Sequence, residues 1–371
     1  MLSYIIRRIL LFVPTLIIIS LIAFAISVLA PGDPVERLLN AAGGESFQNT
    51  IHKEELIKKK RHELGLDLPL FYFSVGTMAD ADKTLALDNN SWKKYVPVIH
   101  YYGGHNQYHH WLYNIIFRGD FGISYQTQLP VIQEIKSRLP WSFTLSFLSI
   151  ILAFGISIPV GMYAARYREK FFDKASSVVL FILYAIPNFF AATLLLVFFA
   201  NPGFFNWFPE SGVQDAVNFN NNWPIWTKII HWIPYLVLPI ITYTYSSIAL
   251  LSRQMRAGAV EIFDYDFIKT ARAKGLTESK ILWKHVFRNA LMPVITIFAN
   301  VFPAAFVGSI IIESIFALPG MGREIYEAIL NYDYPAIVAI FTIFGFLTLV
   351  GYLVADILYA LVDPRISYSK R

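Results

Sequence analysis

The stretch Tyr265–Thr296, YDFIKTARAKGLTESKILWKHVFRNALMPVIT, is the longest polar run lying between two strongly apolar segments, and its reading decides the arrangement of the rest. Asp264 or Asp266 is placed to cap a helix over Phe267–Lys274, because a carboxylate accepts the unpaired amide protons of a first turn. Gly275 follows where a helix usually ends, since glycine takes the left-handed conformation without strain. Thr277 is placed to cap a second helix, from Glu278 to about Asn289, that runs into apolar sequence at Ala290. A helix, a glycine elbow and a second helix hung between two apolar segments read as a docking element. An ordinary basic loop is the plainer reading, and the residues alone leave both open.

Apolar residues make up 56% of the 371 and charged residues 15%, where a soluble chain carries roughly a quarter charged residues. The composition is that of an integral membrane protein. Cysteine is absent, which excludes a disulfide framework, a thiolate metal site and a cysteine nucleophile. Six stretches reach the roughly 20 residues a helix needs to cross a bilayer. They are Ile9–Ala30, Trp141–Ala165, about Ser177–Ala200, Trp232–Ser252, Asn289–Ile312, and Tyr334 to about Val362. Pro14, Pro159, Pro187, Pro239 and Pro303 fall inside them, which membrane helices tolerate when neighbours satisfy the freed backbone.

Orientation follows from Lys and Arg. With the N-terminus inside, the inner segments hold seventeen of the 31 and the two short outer loops hold only Lys228 and Arg323. The other twelve lie in Pro31–Pro140, a loop long enough to escape the positive-inside rule. Both termini are therefore expected in the cytoplasm. The first span reads as a retained anchor, since its apolar run exceeds the 7–15 residues of a signal-peptide core.

Pro31–Pro140 opens with PGDP, continues through a charged helical piece around Lys53–Leu64, and ends in YHHWLYNIIFRGDFGISYQT. It is long enough for a small external domain or a cap. His100, His105, His109 and His110 cluster there, and a metal site is one reading. No carboxylate or cysteine lies at tight spacing, so aromatic residues at the membrane–water boundary explain the cluster more simply. Asn201–His231 reads as interfacial anchoring, and LPGMGREIYEAI within Glu313–Asp333 as a short amphipathic helix.

No phosphate-binding G-x-x-x-x-G-K-[ST] loop, H-E-x-x-H or G-x-S-x-G is present, so no catalytic residue is assigned. The spans carry almost no ionisable groups beyond Asp356, which lies near the cytoplasmic end of the last one and is expected to pair with a neighbouring helix or with Arg365 rather than to serve transport. Asn188, Asn300 and the run Thr242–Ser247, including Ser246 and Ser247, place hydrogen-bonding groups in apolar helices. They either bond between helices or line a polar pathway.

The segment DFIKTARAKGLTESKILWKHVFRNALMPV resembles the cytoplasmic signature loop of binding-protein-dependent ABC transporter permeases, in the dipeptide/oligopeptide/nickel branch. The general pattern begins Glu-Ala-Ala, with Gly six residues after the Glu. Gly275 and Ala271 match it, whereas Lys269 and Thr270 stand at the first two positions and Pro293 lies 18 past the Gly rather than 13. These departures resemble the peptide branch. The opening IIRRILLFVPTLIIISLIAF with APGDPV, then LGLDLPL, GDFGISYQTQLPVIQEIKSRLP, AIPNFF, IIIESIFALPGMG, YDYPAI and DILYALVDPRI, look like the first of the two permeases of peptide importers. About 35 extra residues near Phe73–Gln107 depart from it.

The resemblance implies an all-α polytopic membrane protein with the ABC type I importer permease fold: six transmembrane helices and cytoplasmic termini, in the inner (plasma) membrane. It divides the chain into an anchor and first helix (1–30), an extracytoplasmic segment (31–140, with the insert at 73–107), a five-helix core (141–362, with the coupling loop at 253–289) and a tail (363–371). It implies import of di- or oligopeptides through a pathway shared with a second permease, served by cytoplasmic ABC ATPases and an extracytoplasmic solute-binding protein. The chain then has membrane lipid around it, binds no nucleic acid and carries neither cofactor nor ATPase site. Asp266, Lys269, Thr270, Ala271, Lys274, Gly275 and Leu276 fall on the coupling element. Nickel import is the alternative within the class. A secondary transporter predicts buried acids at mid-membrane, and a receptor or scaffold needs no helix–Gly–helix unit.

Overall fold

The computed structural model describes residues 2–29, 33–41, 50–77, 96–215 and 217–362. Among the described residues five helices are long and apolar enough to cross a membrane. They are α1 (Leu2–Leu29), α5 (Val131–Arg166), α8 (Ile225–Phe263), α10 (Glu278–Ala304) and α13 (Tyr334–Val362). The expected span at Ser177–Ala200 is instead two helices, Phe171–Ala185 (α6) and Asn188–Phe199 (α7), bent by 93°. Pro187 causes the break: it carries no amide proton and pushes the preceding residue out of the helical region. Ile186 accordingly sits at φ −80°, ψ 122°. Counted as one broken span, the pair is the sixth.

The expected span Asn289–Ile312 also ends early, at Ala304. Gly308 then takes φ +74°, and a separate short helix, α11 (Ile310–Ile315), follows with the Ser309 hydroxyl capping it. The anticipated second helix of the polar stretch is no separate element, because Glu278 begins α10 and a π-helical turn at Ile281–Val286 carries it into the apolar part. An amphipathic helix forms at Met321–Leu330 (α12), as LPGMGREIYEAI predicts.

By its contacts the chain forms two compact units. The larger comprises residues 1–16, 135–326 and 343–371, and the smaller 17–134 and 327–342. In the larger unit α8 packs on α10, α6 and α7. Glycine also lets α5 come close to α8: a Cβ on Gly161 of α5 would lie 2.6 Å from the Ser252 carbonyl oxygen of α8. Small residues let membrane helices approach this way. At the chain ends Asp356 of α13 pairs with Arg8 and accepts from the Tyr4 hydroxyl at 2.8 Å. The pairing expected of Asp356 is thus with α1, and Arg365 lies outside the described residues.

The smaller unit holds α2 (Pro34–Ala41), α3 (Thr50–Glu63) and α4 (Gln107–Arg118). Asn106 caps α4 by accepting from the His109 amide at 2.8 Å, and Gly119 ends it in the left-handed region at φ +64°. The core of this unit gathers Phe24, Tyr108 and Val338 with Phe71, Tyr72 and Trp111. The segment 73–107, expected as an insert, holds a β-hairpin, a local exception to the helical fold. Phe73–Thr77 (β1) pairs antiparallel with Pro97–Tyr101 (β2), Phe73 opposite Tyr101. Residues 78–95 of the insert and the tail 363–371 lie outside the described residues.

Candidate functional site

The decisive polar stretch folds as a short helix, α9 (Asp266–Ala273), with two faces. Ile268 and Ala271 are buried in one apolar cluster with Met162 of α5, Met255 and Ile262 of α8, and Leu282 and Val294 of α10. Leu276 packs against the same cluster. Asp266, Phe267, Lys269, Thr270 and Lys274 are exposed on the other face. Of the predicted docking residues, Ala271 and Leu276 therefore anchor the element while the rest present it.

The capping differs from expectation. Asp264 ends α8, Tyr265 takes the capping position of α9, and no side chain there bonds the helix amides. Asp266 is instead the first helical residue and accepts from Lys269 Nζ at 2.8 Å, a contact that holds its carboxyl below the usual aspartate range. Thr277 occupies its predicted position but its hydroxyl makes no capping bond. Gly275 adopts φ +74° with nothing within 4 Å of where a Cβ would stand. It is required there by backbone conformation rather than by space. Across the elbow, Arg272 Nε donates to Glu278 Oε1 at 2.8 Å.

Two contacts tie α8 to the bent pair. Arg256 Nε donates to Asp173 Oδ1 at 2.6 Å and its Nη2 to Oδ2 at 2.7 Å, a bidentate pair with Asp173 buried. The Tyr245 hydroxyl donates to the Ile186 carbonyl at 2.8 Å, satisfying a backbone group that the bend frees. The residues of the pair stand 83 apart in sequence, and nothing local marks them as partners.

The pathway candidates do not converge. Ser247 lines a cavity of about 210 Å³ between α5, α8 and α10, together with Ser146, Ser149 and Tyr243. Ser246 is half-buried and not among its lining residues, and Asn188 is exposed at the start of α7. The side chain of Asn300 lies outside the described residues. Thr242 and Thr244 bond back to the carbonyls of Leu238 and Ile240 within their own helix, a local use of the hydroxyl.

Glu313 is the functional-looking group that went unmarked. It is fully buried and accepts from Ser142 Oγ at 2.7 Å, from the Arg323 amide at 2.9 Å and from the Ser309 amide at 3.3 Å. Gly308, Gly320 and Gly322 close around it, so that a Cβ at Gly308 or Gly320 would overlap the carboxylate. An acid ending an apolar run and flanked by three glycines is the available signal. Among the histidines, His109 Nδ1 bonds the Tyr72 hydroxyl at 3.1 Å. Among the described residues no three His, Cys, Asp or Glu side chains are grouped as metal ligands.

Residues 157–368, which carry α6–α13 and this loop, match the family described as the binding-protein-dependent transport system inner membrane component. The chain belongs to that family. The permease is also similar over nearly its whole length to curated proteins. It is 36% identical to the oligopeptide transport system permease protein AppB of Bacillus subtilis (strain 168), covering 99% of this chain and 100% of that one. It is 34% identical to the peptidoglycan transport system permease protein YejB of Agrobacterium fabrum, covering 100% and 99%. It is 36% identical to the inner membrane ABC transporter permease protein YejB of Escherichia coli O157:H7, covering 100% of both.

Proposed function

We propose that this permease forms half of the translocation pathway of a peptide importer, with a second permease, and that separate cytoplasmic ATPases drive it through α9. The carrying observation is the two-faced helix: Ile268 and Ala271 sit in the same buried cluster as α5, α8 and α10, while Asp266, Lys269, Thr270 and Lys274 face outward. A force applied to that outer face moves three spans as one packed body, because close-packed interiors transmit strain. The Asp173–Arg256 pair extends the body to α6. Alternation between outward- and inward-open arrangements is then a rigid-body rearrangement of packed helices.

Peptide as the substrate class is supported by the oligopeptide transport named for the Bacillus relative, which this chain matches end to end. An extracytoplasmic solute-binding protein is supported by the family description. Cytoplasmic placement of both termini and of α9 is supported by the Lys and Arg distribution, and inner-membrane placement by the name of the Escherichia relative. The chain supplies no ATPase site on this reading.

Gly275→Val tests the coupling. A β-branched residue at φ +74° costs roughly 1–2 kcal/mol or more, with no steric clash to confuse the result. The expected outcome is ATP hydrolysis that persists without proportionate peptide uptake in reconstituted vesicles. Uptake per ATP equal to that of the unmodified complex overturns the role assigned to α9.

A further inference from the structure

In the smaller unit, α1, α4, the start of α13 and the segment after α3 enclose a cavity of about 440 Å³. Its lining is divided by chemistry. Phe24 and Val28 of α1 and Val338 of α13 form an apolar floor, and all three lie near the ends of membrane-crossing helices. Three leucines of the segment after α3 and Pro335 add apolar wall, and His62, Glu63, Trp111, Asn114 and Tyr125, packed edge-on against Tyr334, supply the polar and aromatic part. Among the described residues no Lys or Arg lines it.

Three further observations point to an occupant. The Trp111 indole Nε1 is buried without a hydrogen-bond partner, where nearly all such donors are paired. His62 bonds Asp67 Oδ2 at 2.7 Å, which raises its pKa and favours the cation. Beside the cavity α4 leaves Tyr113, Ile116 and Phe117 exposed at 45, 61 and 71%, while the buried Tyr108–Ser20 hydroxyl contact holds it against α1. A helix with such an exposed apolar stripe rests at the boundary between headgroups and acyl chains.

We propose that this cavity holds one phospholipid with an ethanolamine headgroup, its acyl chains running over the apolar floor. A primary ammonium is matched by the Glu63 carboxylate, which meets Lys60 at 3.2 Å in an exposed ion pair, and by the aromatic rings of Trp111, Tyr125 and Tyr334. The phosphate is matched by the Trp111 indole N–H, His62 and Asn114. A wholly anionic head finds, among the described lining residues, none of the Lys or Arg that usually hold it. A choline head carries no N–H for Glu63. The volume falls within the 300–1,000 Å³ usual for small-molecule sites, enough for the headgroup and the first methylenes.

The test is native mass spectrometry of the purified, delipidated transport complex, with phosphatidylethanolamine, phosphatidylcholine and phosphatidylglycerol added in turn. One phosphatidylethanolamine should stay on this subunit in preference to the other two. Trp111→Phe keeps the ring and removes the donor, and should weaken retention about two- to tenfold, the worth of one hydrogen bond. Glu63→Gln, at an exposed rim position, should erase the preference over phosphatidylcholine; unchanged melting temperatures show that both variants are folded. Equal retention of all three lipids, retention unaffected by both variants, or displacement of the lipid by a tripeptide overturns the proposal.

Discussion

Glu313 shows how one residue sets the chemistry around it. Burial pushes its carboxyl above the ordinary value of 4.5, against the opposing pull of Ser142 and the backbone amides of Arg323 and Ser309. The folded state therefore favours the protonated form: the contribution is complete below 4.5 and is lost as pH rises through the raised value. Glu313→Gln should flatten the dependence of melting temperature on pH in this range, read by differential scanning fluorimetry of the purified complex. Glu313→Ala should instead cost about 1–3 kcal/mol for each donor left unpaired. A pH profile identical in the Gln variant and the parent would show that the carboxyl does not titrate in this range. At Gly275 the sequence was legible because a left-handed helix end has few solutions. At Glu313 it was not, because the glycines that enclose the acid matter only once α11 and the turn before α12 close on it.

Among elements, the sequence located the apolar stretches but not their shape. Hydrophobic length finds a helix long enough to cross, but the 93° bend at Pro187 and the early end of α10 depend on where the freed backbone groups find partners. Tyr245 supplies one such partner from a helix nearly sixty residues away. The Asp173–Arg256 pair is of the same kind. Removing one partner of a buried pair costs about 3–5 kcal/mol, and because the Arg256 side chain is 33% exposed the lower end or below is expected. Asp173→Asn and Arg256→Gln should each lower stability, and the double variant should lose less than their sum. Strict additivity in that cycle would show that the pair makes no linking contribution between α6 and α8.

On the scale of the whole molecule, the β-hairpin is the clearest addition to the expected pattern. Its strands leave Phe73, Val75, Ile99 and Tyr101 between 59 and 79% exposed, so it shares little buried surface with the rest of its unit. Replacing Val75 and Ile99 with Thr should therefore change the melting temperature of the complex by no more than a few degrees, measured beside peptide uptake. A collapse in stability would show that this face of the strand pair is packed against the core. The sequence by itself determined the membrane class, the approximate spans, the conformation at Gly275 and the family, because hydropathy, glycine geometry and local motifs act over short separations. Only the tertiary structure decided which face of α9 is buried, how the apolar stretch around Pro187 bends, that Asp356 meets Arg8, and that Glu313 and the Trp111 indole nitrogen are buried polar groups. Those outcomes depend on desolvation and on partners brought together across long stretches of chain, and a buried polar group has no signature until the atoms that surround it are in place.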